Sequence, residues 1–121
     1  RTLKNDNSSR FGKYIDMRFN RSGKLHGAQI ETYLLEKVRL IHINAGERNY
    51  HVFYQFLASC TDKERREYLI GSKKLQDFKL LNQSGTYNRR DKVDDASQHQ
   101  YMLDAMITIG FDLNMVQDLM R

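Results

Sequence analysis

Two alternating stretches constrain the fold of this chain more than any other feature. In "KYIDMRFN", residues 13–20, Ile15, Met17 and Phe19 alternate with Asp16 and Arg18. That is the period of a half-buried strand. "RSGK", residues 21–24, follows as a turn signal centred on Ser22-Gly23. "LHGAQIETYLL", residues 25–35, then alternates again, with Ala28, Ile30, Thr32 and Leu34 on one face and Gln29, Glu31 and Tyr33 on the other. The pattern predicts a β-hairpin over about residues 11–35. Two strands alone are marginal in water. Nothing else in the 121 residues reads as a convincing strand pair, so the hairpin is expected to belong to a larger sheet built by other segments.

The period changes after Glu36. "EKVRLIHIN" fits either a short helix or an extended piece. In "GERNYHVFYQFLASC", Tyr50, Phe53, Tyr54 and Leu57 fall on one helical stripe. Val52 and Phe56 widen it, which predicts a helix buried around much of its circumference. "TDKERREYLIG" predicts a short charged helix capped by Thr61 or Asp62. Residues 71–93 are polar and irregular. Met102, Ala105, Met106 and Ile109 mark another helix, closed by Gly110 as the residue after its cap. Asp112 is placed to cap a last one, with Leu113, Val116, Leu119 and Met120 facing inward. A hairpin followed by helices makes the chain α/β. The start at Arg1, without a methionine, and the stop inside an apolar-periodic segment lead us to expect a piece truncated at both ends.

The net charge of +5 is unevenly spread. Residues 1–50 hold ten Lys/Arg against five Asp/Glu, and the remainder holds ten of each. A basic half admits a nucleic-acid face, a membrane surface or a phosphate ligand. The basic residues of the hairpin alternate with acidic ones and no nucleic-acid motif is present, so no nucleic-acid partner is expected. No run is long and apolar enough for a transmembrane segment. A single cysteine, Cys60, excludes an internal disulfide framework and reads as a small buried or half-buried thiol.

The opening stretch "NDNSSRFGK", residues 5–13, joins amides, hydroxyls and cations in one loop. A serine hydroxyl can ligate magnesium beside phosphate oxygens. A hydroxyl or carbonyl can orient an attacking water, and an arginine can stabilise phosphate charge or clamp a carboxylate. Taken alone, "NSSR" is better read as a polar turn whose serines cap their neighbours.

The longer string "NDNSSRFGKYIDMRF" resembles the switch I element of myosin motor domains. Kinesins share the N-x-x-S-S-R core but continue differently. The strand "GAQIETYLLEKVRL", the helix "GERNYHVFYQFLA", and the segments "LLNQSG" and "AMITIGF" are similar to further myosin blocks, in the same order and across nearly the whole chain. The resemblance implies a partial motor domain on a P-loop NTPase-like fold. It comprises a switch I loop (residues 1–13), transducer strands of the central sheet (11–35) and a mainly helical upper 50-kilodalton segment (36–121).

By resemblance, the cofactors are ATP and Mg2+. Asn5 contacts the nucleotide phosphates, Ser9 offers its hydroxyl to the magnesium, and Ser8 holds the attacking water. Arg10 pairs with a switch II glutamate and closes the pocket, excluding other water. The implied partners are actin filaments, through other parts of the motor, and calmodulin-like light chains on a lever arm outside this chain. The implied location is the cytoplasm and its cytoskeleton. The chain carries neither a G-x-x-x-x-G-K-[ST] loop nor a "DIxGFE" switch II, so the isolated chain is expected to be inactive. A motor-like protein that has lost turnover and serves as an actin tether is the competing reading. His42-Ile43 and the basic "NRRDK" insert, residues 88–92, depart from the family pattern. Both bear on the class of myosin. His51 is expected to be a structural histidine, and Met102 and Met106 to be core.

Overall fold

A computed structural model describes all of residues 1–121. The predicted hairpin is formed by β1 (Gly12–Phe19) and β2 (Leu25–Tyr33), paired antiparallel. Ile15 lies opposite Ile30 and Met17 opposite Ala28, so one face is apolar. A bulge between Arg18 and Phe19 shifts the register next to the turn. There the Asn20 side-chain oxygen accepts hydrogen bonds from the backbone N–H groups of Ser22 (3.0 Å) and Lys24 (2.9 Å). Gly23 supplies the positive φ of 77° that this turn needs. Leu34, expected on the strand face, instead leaves the sheet at φ 56°.

Four helices follow: α1 (His51–Ser59), α2 (Asp62–Glu67), α3 (Asp95–Thr108) and α4 (Leu113–Met120). Short 3-10 turns lie at Val38–Leu40 and Leu75–Asp77. Cap chemistry sets the helix starts. The Thr61 hydroxyl and the Glu64 carboxylate satisfy each other's backbone N–H groups at the start of α2. Asp94 and Asp112 accept from the third residue of α3 and α4 respectively.

The helical part has a small and unusually polar core. Tyr54 of α1 is fully buried, and its hydroxyl accepts from the Asn49 N–H at 3.0 Å. α3 packs on α1 through an edge contact between the Phe56 and His99 rings, 5.8 Å apart. The Ser59 hydroxyl and His99 Nδ1 lie 2.7 Å apart beside it. Of the 11 buried residues, five are hydrophobic and six polar or charged, so the centre is built of hydrogen-bonded and ionic contacts as well as apolar ones.

The stripes that mark the helices are covered only in part. Val52 and Phe53 of α1, Ile109 at the end of α3, and Leu113 and Leu119 of α4 are exposed. The expectation that α1 is buried on much of its circumference and that α4 turns Leu113 and Leu119 inward fails within this chain. The apolar face of the hairpin is likewise open, with Ile15 at 50% and Ile30 at 61% exposure. The accessible surface is 9272 Å². A self-contained monomer of this 14.4 kDa mass would expose roughly 6,800 Å². Exposed apolar residues of the hairpin, α1 and α4 contribute to the excess.

Candidate functional site

The opening loop is held from two sides. Arg1 Nη2 donates to the Gly46 carbonyl (2.9 Å), the Arg48 N–H to the Arg1 carbonyl (3.3 Å), and the Leu3 N–H to Glu47 Oε1 (3.3 Å). From the other side Arg90 donates to the Leu3 carbonyl at 2.7 Å and to Asp6 Oδ1 at 3.3 Å. Gly46 makes the first approach possible. Its φ is +76°, and a Cβ there would stand 2.8 Å from Leu3 Cδ2. The "NRRDK" segment thus has a structural use: its Arg90 fastens the loop.

So fixed, the loop runs along a cleft of ≈ 450 Å³ and continues into β1. Ser8, Ser9 and Arg10 line this cleft with Asn7, and Arg39 and His51 line it from the helical side. The Ser8 hydroxyl is buried and has no partner, and the same holds for Arg10 Nη2. Ser9 is exposed. Asn5 lies apart from the other three predicted residues: it is exposed and closes a turn with Thr2, its N–H donating to the Thr2 hydroxyl at 3.0 Å.

A ladder of alternating charges backs the cleft. Arg10 Nη1 donates to Glu36 Oε2 at 2.6 Å, and the same oxygen accepts from Arg39 Nε at 3.3 Å. Arg39 Nη2 then meets Glu47 Oε2 at 3.1 Å. Burial alone would raise the Glu47 pKa. Hydrogen bonds from Arg39 and the Leu3 N–H outweigh it and hold the carboxyl below its usual range.

Behind the ladder sits Arg48, with its side chain fully buried. Its two terminal nitrogens grip Asp95 at 2.7 and 2.9 Å. It also donates to the Tyr87 carbonyl (2.8 Å) and, through Nε, to His51 Nδ1 (3.1 Å), while its guanidinium lies 4.2 Å from the Tyr54 ring centroid. Sequence reasoning missed Glu36, Arg39, Glu47 and Arg48, since the pairs joining Glu36 to Arg10, Arg39 to Glu47 and Arg48 to Asp95 span 8 to 47 positions, beyond any local pattern. The available signal was "GERNYHVFYQFLA" as a block, because a charged string fused to an aromatic helix start is unusual for a loop.

His51, the first residue of α1, accepts from Arg48 and stays neutral. Burial above all, and then nearby positive groups including Arg48 and Arg89, lower its pKa from 6.5 to about 4. The folded value lies below the unfolded one, so between them the unfolded state binds more protons. The stabilisation is complete above about pH 6.5 and is lost as pH falls toward 4. Melting at pH 7 and pH 5 is expected to show a smaller acid-induced drop in His51→Gln than in the parent protein. Equal drops in both would overturn this assignment.

No carboxylate lines the cleft, whereas Arg1, Arg10 and Arg39 do. The lining therefore suits an anion. No group of three His, Cys, Asp or Glu side chains could hold a metal ion. A hard divalent cation would bring most of its oxygen ligands with the anion, and the Ser9 hydroxyl could add one.

The sequence matches the family model described as myosin head (motor domain) over residues 1–121. It is 42% identical over 121 residues to a myosin IB heavy chain of Dictyostelium discoideum, covering 100% of this chain and 11% of that protein. It is 45% identical over 112 residues to myosin type-2 heavy chain 1 of Schizosaccharomyces pombe, covering 93% of this chain and 7% of the relative. It is 40% identical over 116 residues to myosin-1 of Saccharomyces cerevisiae, covering 96% and 6%. The chain thus spans about a tenth or less of the length of these relatives.

Proposed function

The chain belongs to the myosin head family, and from that premise we propose that it is the switch I-bearing part of an ATP-driven, actin-based motor. The observation that carries this reading is that Ser8 Oγ and Arg10 Nη2, like Nε and Nη1 of Arg1, are buried without a hydrogen-bond partner at a cleft lined by cations and free of carboxylates. A buried polar atom without a partner costs about 1–3 kcal/mol. Several such atoms beside an anion-suited cleft fit a site completed by its ligand.

In this reading the γ-phosphate of ATP enters the cleft. Ser8 orients the attacking water, and Arg10 keeps its free nitrogen for a switch II carboxylate. Ser9 ligates magnesium, which would neutralise phosphate charge when bound. Asn5 reaches the phosphates only if the Thr2–Asn5 turn rearranges around the nucleotide, since the turn now holds Asn5 outside the cleft. The hairpin takes the place of transducer strands within the central sheet of a P-loop NTPase-like fold. That accounts for the open face carrying Ile15 and Ile30. Residues 36–121 form part of the upper 50-kilodalton subdomain. Actin filaments bind through other parts of the motor, light chains bind a lever arm, and the protein works in the cytoplasm on the cytoskeleton. No helix here is long and apolar enough to cross a membrane.

The test is ATP turnover by the full-length protein carrying this chain. Magnesium-dependent hydrolysis accelerated by actin filaments is the expected result, and its loss in Ser8→Ala together with Ser9→Ala assigns it to this loop. Filament binding with no turnover would favour the tether reading instead. The 121-residue chain alone is expected to release phosphate from ATP no faster than buffer, because it carries no phosphate cradle. A rate well above buffer would refute that.

A further inference from the structure

We propose that Glu36 is a positioning residue for Arg10: it fixes one edge of the guanidinium so that the other edge stands ready at the cleft. The proposal rests on the reading of Arg10 given above. Glu36 sits just beyond β2, and its backbone is pinned on both sides. Its N–H donates to the Arg10 carbonyl at 3.0 Å, and its own carbonyl accepts from the Tyr50 hydroxyl. The pinned backbone sets where the side chain starts, and two arginines hold its carboxylate. Its Oε2 takes Arg10 Nη1 at 2.6 Å, and this is the one ion pair Arg10 makes. Arg10 Nη2 is left buried and without a partner.

A guanidinium has donors on more than one edge. Occupying one edge does not block the other, so Glu36 need not let go when a second acceptor arrives. The ordering of a long side chain is then settled in advance, and less entropy is lost as the site closes. Arg39 makes the arrangement robust. It shares Oε2 of Glu36 at 3.3 Å and is also held by Glu47 at 3.1 Å. Removing the Glu36 carboxylate therefore strands Arg10 but leaves Arg39 paired.

The experiment is a double-mutant comparison in the full-length motor, using Glu36→Ala, the near-isosteric Glu36→Gln and Arg10→Ala. Glu36→Ala is expected to lower kcat roughly tenfold to a hundredfold, the cost of a misplaced group, with the KM for ATP little changed. Glu36→Gln keeps an acceptor and should lose less. In the Arg10→Ala background, Glu36→Ala should cost nothing further. A nucleotide-free crystal structure of Glu36→Ala is expected to show Arg10 released from its single orientation. Equal losses from Glu36→Ala with and without Arg10 would overturn the proposal, as would unchanged kcat in both Glu36 variants while Arg10→Ala is impaired. If Glu36→Ala does not fold, Glu36→Gln decides by the same criteria. A silent Arg10→Ala would sink the reading of Arg10 itself, which is a separate outcome.

Discussion

Arg48→Met is expected to destabilise the packing of α1 against α3 by about 3–5 kcal/mol, the usual cost of removing one partner of a buried ion pair. Arg48 is the largest fully buried side chain in the molecule. It joins elements distant in sequence: Asp95 at the start of α3, the Tyr87 carbonyl in the irregular segment, and His51 at the start of α1. Methionine would fill much of the volume, but it leaves the Asp95 carboxylate, the Tyr87 carbonyl and His51 Nδ1 without their donor. The few buried apolar residues offer little to offset that. Hydrogen exchange read by mass spectrometry over α1 and α3 of the full-length protein would report the loss where it arises, as exchange more than roughly a hundredfold faster.

Arg48→Lys separates charge from geometry. A lysine keeps the positive charge near Asp95 but cannot present a flat fork to two carboxylate oxygens, a carbonyl and an imidazole together. It should still cost about 2 kcal/mol, on the order of one hydrogen bond to a charged group. Protection close to that of the parent protein would mean that charge alone holds this junction. The same junction bears on the cleft, because His51 and Arg39 both line it and both contact Arg48.

What the sequence revealed follows the reach of each signal. The hairpin was legible because period-two alternation and the Asn20–Lys24 turn are decided within a few residues of one another. The caps at Thr61 and Asp112 were legible for the same reason. Burial was legible only as a preference. Periodicity marks Phe53, Leu113 and Leu119 as belonging to apolar faces, yet it cannot say whether anything covers those faces, and here they are exposed. The polar core was not legible at all. Arg48 and Asp95 lie 47 positions apart, and no local pattern links them. At the site, Ser8, Ser9 and Arg10 were identified by resemblance and are gathered at one cleft. Glu36 escaped because it opens "EKVRLIHIN", which fits a short helix or an extended piece, and its partner Arg10 lies 26 positions away.

Arg10→Ala in the full-length protein is expected to lower kcat by roughly 10²–10³-fold, the loss typical of removing one preorganised charged donor. Misfolding would not explain such a loss. Glu36, relieved of Arg10, still accepts from Arg39 at 3.3 Å, so no carboxylate is left bare, and the Arg10 carbonyl keeps its bond from the Glu36 N–H. The loop remains fastened through Arg1, Leu3 and Arg90. What disappears is the unpartnered nitrogen at the cleft. If its use comes with closure around the reacting phosphate, ATP should bind almost as well as before and the cleavage step should slow, so that kcat falls and KM moves little. Arg10→Lys should not restore the rate, because one ammonium cannot hold Glu36 and a second carboxylate on opposite edges. If instead KM rises and kcat holds, Arg10 serves as a phosphate anchor and the closing of the pocket depends on another group. Rapid-quench measurement of ATP cleavage, beside equilibrium binding of a non-hydrolysable analogue, separates the two outcomes directly.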